Sequence, residues 1–170
     1  RWPEAPARLT AVGQAIGDLM ASRGWPGAEA WRQRASGIAP TLVGGSKKHG
    51  GPDLGPTRAK AAWRVYGVDA MGLADEPPGS DFPLDGYPRL TIRMAARLQA
   101  FPDDWQFAGG KTAAYRQVGN ALPPPVARAV GEAIRDALQR KRSRPAASRP
   151  LPHAPTLESG HKYEQVTAAG

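Results

Sequence analysis

Arg89-Leu90-Thr91-Ile92-Arg93-Met94-Ala95-Ala96-Arg97-Leu98-Gln99, then Phe101-Pro102-Asp103-Asp104-Trp105, then Tyr115-Arg116-Gln117-Val118-Gly119-Asn120-Ala121-Leu122-Pro123-Pro124 are the three strings on which the reading of this chain turns. Thr91 is a good helix N-cap, because its hydroxyl can accept from the free backbone N–H groups two or three residues on. Behind it Ile92, Ala95, Ala96 and Gln99 share one helical face, while Arg93 and Arg97 stack at i, i+4 on another. Phe101 to Asp104 reads as a turn, with Pro102 presetting a dihedral and the aspartates placed to bond local backbone. A carboxylate pair can also serve as general acid and base, but turn chemistry already accounts for this one. Pro123 to Pro125 lead into a helix, whose first turn tolerates missing N–H groups. On that helix Val126, Val130, Ile134 and Leu138, with Ala127 and Ala137 beside them, form an apolar stripe that must pack on something large.

Working outward, 170 residues hold one modest domain. With 20 glycines and 18 prolines, the chain should combine an ordered body with much irregular structure and a loose end. A net charge of +8 points to a polyanionic partner, nucleic acid being the usual one. The chain has no cysteine, which excludes disulfides, thiolate metal sites and a cysteine nucleophile within it. His49, His153 and His161 lack metal-ligand spacing and read as solvated side chains, so no metal is expected. No apolar run approaches the roughly 20 residues of a membrane span, and no secretory signal pattern opens the chain. The expectation is a cytoplasmic protein without a membrane partner. The first residue is Arg1 and not Met, which suggests a piece of something longer.

Arg1 to Pro6 is extended and broken by proline. Leu9, Val12, Ile16, Leu19 and Met20 follow helical spacing, and Gly24 with Pro26 ends that helix. Trp25 and Trp31 flank a basic turn containing Arg32 and Arg34. Thr41 to Val43 is a short strand-like run, and Gly44 to Gly51 is a glycine-rich loop carrying Lys47 and Lys48. Between Lys47 and Arg64 five basic residues (Lys47, Lys48, Arg58, Lys60, Arg64) face one acid, Asp53. Glycine lets backbone approach a groove closely, and lysine and arginine neutralise phosphates or read guanine edges. On charge and glycine alone, a solvated loop remains marginally the better reading. Pro56 to Gly67 should hold a short helix with Ala59, Ala62 and Trp63 inward. Val68 to Pro88 is acidic and proline-rich and should wrap the body as a loop. The prolines, serines and basic residues after Gln139 argue for a disordered tail.

In order and spacing, the three strings resemble motifs IX and X of the DNA cytosine-5 methyltransferases, with Met94 where the family usually has glutamate in a capping box with Thr91. Thr41-Leu42 is similar to the Thr-Leu pair of that family's target recognition region. The resemblance implies the C-terminal portion of an α/β, Rossmann-like S-adenosylmethionine-dependent methyltransferase, built as a small irregular α+β recognition domain plus a returning motif X helix. Residues 1–20 would then be the end of the catalytic domain, 21–88 the recognition region, 89–138 motifs IX and X, and 139–170 the tail. Taken with the flanking motifs, DNA contact becomes the favoured reading of the basic loop. The implied DNA-binding residues are Thr41, Lys47, Lys48, Arg58, Lys60, Arg93 and Arg97, the last two as much scaffold as phosphate-positioning groups. Tyr115 reads as packing and not base stacking.

Asn120 and Ala121 would approach the methionine end of S-adenosylmethionine. From the residues alone, Asn120 also fits a left-handed turn after Gly119, and the two readings are compatible. Methyl transfer to C5 of cytosine needs a thiolate at C6 of a flipped base and an acid at N3. The family takes these from Pro-Cys and Glu-Asn-Val motifs, and its cofactor site mainly from a glycine-rich loop. None of these occurs here, so no catalytic residue is assigned and the chain alone should be inactive. The implied partners are double-stranded DNA and an N-terminal catalytic half, in cis or as the other subunit of a split enzyme. A catalytically inactive DNA-binding module is the alternative.

Overall fold

The computed structural model describes residues 9–44 and 53–143. Lys47, Lys48 and His49, the segment Arg1 to Pro6, and the tail past Ser143 with His153 and His161 lie outside the described residues. Six helices follow one another: α1 (Val12–Ala21), α2 (Ala28–Arg34), α3 (Thr57–Val65), α4 (Ile92–Leu98), α5 (Lys111–Asn120) and α6 (Pro124–Ser143). Among the described residues there is no strand, only isolated bridges from Arg23 and Gly24 to Gly79. The expected α+β recognition domain is therefore helical and irregular. Thr41 to Val43 pairs with no neighbouring ladder, and burial of Leu42 fixes it instead.

The α1 helix forms because Val12, Ile16 and Met20 recur at four-residue spacing, and all three are fully buried. Gly13 and Gly17 let it lie directly on α2: a Cβ at residue 13 would stand 2.1 Å from the Arg32 carbonyl oxygen. The sequence suggested only a basic turn around Arg32. A helix forms there because Glu29 accepts from Arg32 Nε at 2.8 Å across one turn, while Trp31 is buried beneath it.

One core gathers Ile16, Trp31, Leu54, Trp63, Leu90, Met94, Tyr115 and Val118 from across the chain. The segment between α3 and α4 wraps this core without regular structure, as its prolines lead one to expect. Backbone bonds hold it in place, from Leu54 N–H to Ala70 O, Asp69 N–H to Pro88 O, and Ala74 N–H to Leu90 O.

Thr91 caps α4 as expected, its hydroxyl accepting from the Met94 N–H at 3.2 Å. In place of the family's glutamate, Met94 turns inward and its Sδ lies 3.5 Å from the Thr91 N–H. A thioether is a weak acceptor, yet it partners a backbone donor that is otherwise buried. The α6 helix runs five residues beyond Leu138 into the stretch expected to be tail. It packs against no other helix, whereas α1 packs on α2 and α4, and α4 on α5. Leu122, Val126, Ile134 and Leu138 stand exposed along this end of the chain, so the predicted apolar stripe lies uncovered among the described residues.

Candidate nucleic-acid and cofactor interface

The sequence places Arg93 and Arg97 together on α4, and the structure turns both onto the Phe101–Trp105 turn. Arg93 donates to the carbonyls of Pro102 and Trp105, at 3.2 and 2.9 Å. Arg97 bridges two carboxylates, with Nη1 2.6 Å from Asp18 of α1 and Nη2 2.5 Å from Asp103. Asp103 thus serves an ion pair and not the local backbone. The hydrogen bonds from Arg97 hold both carboxyls below the usual carboxylate range and push the guanidinium pKa further up. An aspartate held ionised in this way is a poor general acid.

The linkage has a definite sign. Because the folded pKa values of Asp18 and Asp103 are depressed, their contribution is present above the unfolded carboxylate pKa, near 4, and is lost as pH falls through the lowered folded values. Both aspartates are largely exposed, so the stabilisation is small. The urea midpoint should fall below about pH 4, and the fall should be shallower in Arg97→Met. Equal slopes in parent and variant would remove Arg97 as the cause.

Of the remaining predicted DNA contacts, those among the described residues, Thr41, Arg58 and Lys60, sit on two connected segments. Thr41 is exposed, and two residues further on Val43 packs at Gly55, the tight turn (φ +109°) that leads into α3. Lys60 of α3 lies 2.6 Å from Asp53 Oδ2, and Asp53 Oδ1 accepts from the Gly55 N–H. Arg58 is exposed and has no carboxylate partner among the described residues.

Asn120 is the last residue of α5 and not a left-handed turn residue; Ala100 alone among described non-glycine residues has positive φ. Its side chain is exposed and lies against Gly44, where a Cβ would come within 2.3 Å of Oδ1. Gly119 meets the same segment backbone to backbone: a Cβ there would stand 2.3 Å from Gly44 N and 2.8 Å from the Val43 carbonyl carbon. The end of α5 is therefore seated directly on the start of the glycine-rich stretch. Nothing in the spacing of the sequence reveals this contact, since the two glycines lie far apart in the chain.

As a cofactor wall, this end offers the exposed Asn120 carboxamide. The Ala121 N–H already donates to Val118 O at 3.3 Å, and Pro123 to Pro125 carry no N–H. A ligand carboxylate would thus meet the Asn120 amide and the Leu122 N–H in preference to Ala121. These residues fit one side of an S-adenosylmethionine site. Tyr115 is fully buried, as its packing role requires, and burial first, then Asp53, pushes its hydroxyl up to about 12.

A cavity of about 490 Å³ opens between α1, α4 and α5. Its charged lining is already engaged, Lys111 with Asp75 at 2.7 Å and Arg93 with backbone carbonyls. Among the described residues no group of three His, Asp or Glu could hold a metal, and no helix is long and apolar enough to cross a membrane.

Residues 33–136 match the family model for C-5 cytosine-specific DNA methylases. The chain belongs to that family. It is 57% identical over 138 residues to the Type II methyltransferase M.NaeI of Lentzea aerocolonigenes, a match covering 81% of this chain and 33% of the relative. It is 44% identical over 144 residues to the Type II methyltransferase M.NgoMIV of Neisseria gonorrhoeae, covering 83% and 45%. A shorter stretch of 53 residues is 49% identical to DNA (cytosine-5)-methyltransferase 1B of Oryza sativa subsp. japonica, covering 31% of this chain and 4% of the relative. The chain thus spans between a third and a half of the length of the first two. No solved structure matches it.

Proposed function

We propose that this chain supplies target recognition and one wall of the cofactor site to an enzyme that transfers methyl from S-adenosylmethionine to C5 of cytosine in double-stranded DNA. The observation that carries the reading is the seating of Gly119 and Asn120 on Gly44, which joins the cofactor-side motif to the segment with the recognition signature. Bound S-adenosylmethionine would supply the methyl group. This chain's part is to hold the Asn120 carboxamide beside it and to engage DNA through Thr41, Lys47, Lys48, Arg58 and Lys60. Arg93 and Arg97 brace the turn after α4, so their effect on DNA passes through the position of that turn. With no cysteine in the sequence, the nucleophile comes from an N-terminal half, in cis or in trans. The uncovered stripe of α6 supports this, because an apolar face of that kind wants a partner surface.

Mixing the chain with the part of the M.NaeI relative that this chain does not match, labelled S-adenosylmethionine and duplex DNA is the direct test. Label transfer only in the complete mixture is the expected result. DNA binding by the chain without transfer would favour an inactive DNA-binding module.

A further inference from the structure

Several basic side chains of the described residues are matched to an acid. Arg23 pairs with Glu76, Arg32 with Glu29, Lys60 with Asp53, Arg89 with Asp69, Arg97 with Asp18 and Asp103, and Lys111 with Asp75. Arg34 and Arg64 are among those that are not. Both are exposed, and neither has a carboxylate at ion-pair distance among the described residues. They converge on one aromatic ring, with Arg34 Cζ 5.8 Å and Arg64 Cζ 5.1 Å from the centroid of the half-exposed Tyr87. Asp69 feels the charge of Arg64, but its oxygens are committed to Arg89 Nε and the Met71 N–H.

We infer that Arg34 and Arg64, gathered on the ring of Tyr87, form a phosphate-binding site for the backbone of double-stranded DNA, separate from the glycine-rich segment. Each arginine alone could be explained as a cation complementing the C-terminal end of its helix, α2 or α3. That does not explain why two helices bring like charges to the same ring. Their mutual repulsion is tolerated at an exposed face and reversed when an anion lies between them. The ring holds the guanidiniums without consuming their N–H donors, which leaves the planar forks free for phosphate oxygens. Because α3 also carries Arg58 and Lys60, the site extends the same helix's basic surface along a duplex.

The inference rests on the DNA-binding reading above, and its test separates the two. Binding of the 170-residue chain to a random-sequence duplex is measured as a function of salt, for the parent and for Arg34→Ala/Arg64→Ala. Losing two phosphate contacts should make the slope of log K against log salt shallower by about 1.8, and binding about 30-fold weaker near 0.15 M salt. Tyr87→Phe keeps the ring and should bind like the parent. Unchanged slope in the double variant, with the parent binding normally, overturns this site and leaves the DNA reading standing. No binding by the parent overturns both. Loss of polyglutamate binding with DNA binding intact would assign the face to an acidic protein and also overturn the proposal. Should the double variant fail to melt cooperatively, Arg34→Gln and Arg64→Gln are read singly, each expected to change the slope by about 0.9.

Discussion

Trp63→Ala should destabilise the chain by about 4 kcal/mol and release α3 from the body. Trp63 is fully buried in the core and is the sole buried residue of that helix, whose other side chains reach solvent wholly or in part. The helix has no other anchor of comparable size, so a truncated side chain leaves a cavity and little to hold the basic surface in register. Urea denaturation would read the stability loss, and the same variant should lose DNA affinity if α3 faces the duplex. Trp63→Phe should cost much less. The indole Nε1 is buried without a hydrogen-bond partner, so its removal forfeits no bond and relieves an unsatisfied donor. Similar losses for the two variants would contradict this account of the site.

Gly119→Val should cost about 3 kcal/mol, and Gly44→Ala markedly less. The asymmetry follows from what each new side chain would strike. At 119 the obstruction is backbone, Gly44 N and Cα and the Val43 carbonyl carbon, which can yield only by separating α5 from the segment it sits on. At 44 the nearest obstruction is the exposed Asn120 side chain, which can rotate away, and the nearest backbone atom, the Arg116 carbonyl oxygen, stands at 3.1 Å, a contact a small shift relieves. Valine is if anything a better helix former than glycine, so the loss at 119 comes from this clash. Thermal melts of both variants settle the order. If Asn120 holds the cofactor as proposed, Gly119→Val should in addition weaken S-adenosylmethionine binding in the complete enzyme, because Asn120 moves with the end of α5.

The elements that the sequence made readable are those with a periodic apolar face. The α1 residues Val12, Ile16 and Met20, the capped start of α4 at Thr91, and the long stripe of α6 all fall where spacing puts them. The α2 helix was not legible, because its seven residues carry a single large anchor, Trp31, among polar neighbours. The strand-like run at Thr41 failed for a different reason: β-branched residues favour extended backbone, but a strand also needs a partner that no propensity supplies. The family signature was fully legible in the three strings. What it left unspecified were partners distant in the chain. Asp18 meets Arg97 from 79 residues away, Tyr87 collects Arg34 and Arg64, and Gly44 receives Gly119. Each depends on the completed core and has no local signal.

Met94 gives the start of α4 one further property. A glutamate in that place would gain a proton near pH 4 and, as it did so, weaken its hold on the Thr91 N–H. The thioether has no proton to gain. The first turn of this helix is therefore blind to acid over the range in which the neighbouring Arg97 pairs dissolve, so the two ends of α4 should come apart at different pH values, the C-terminal bracing first and the cap only with global unfolding.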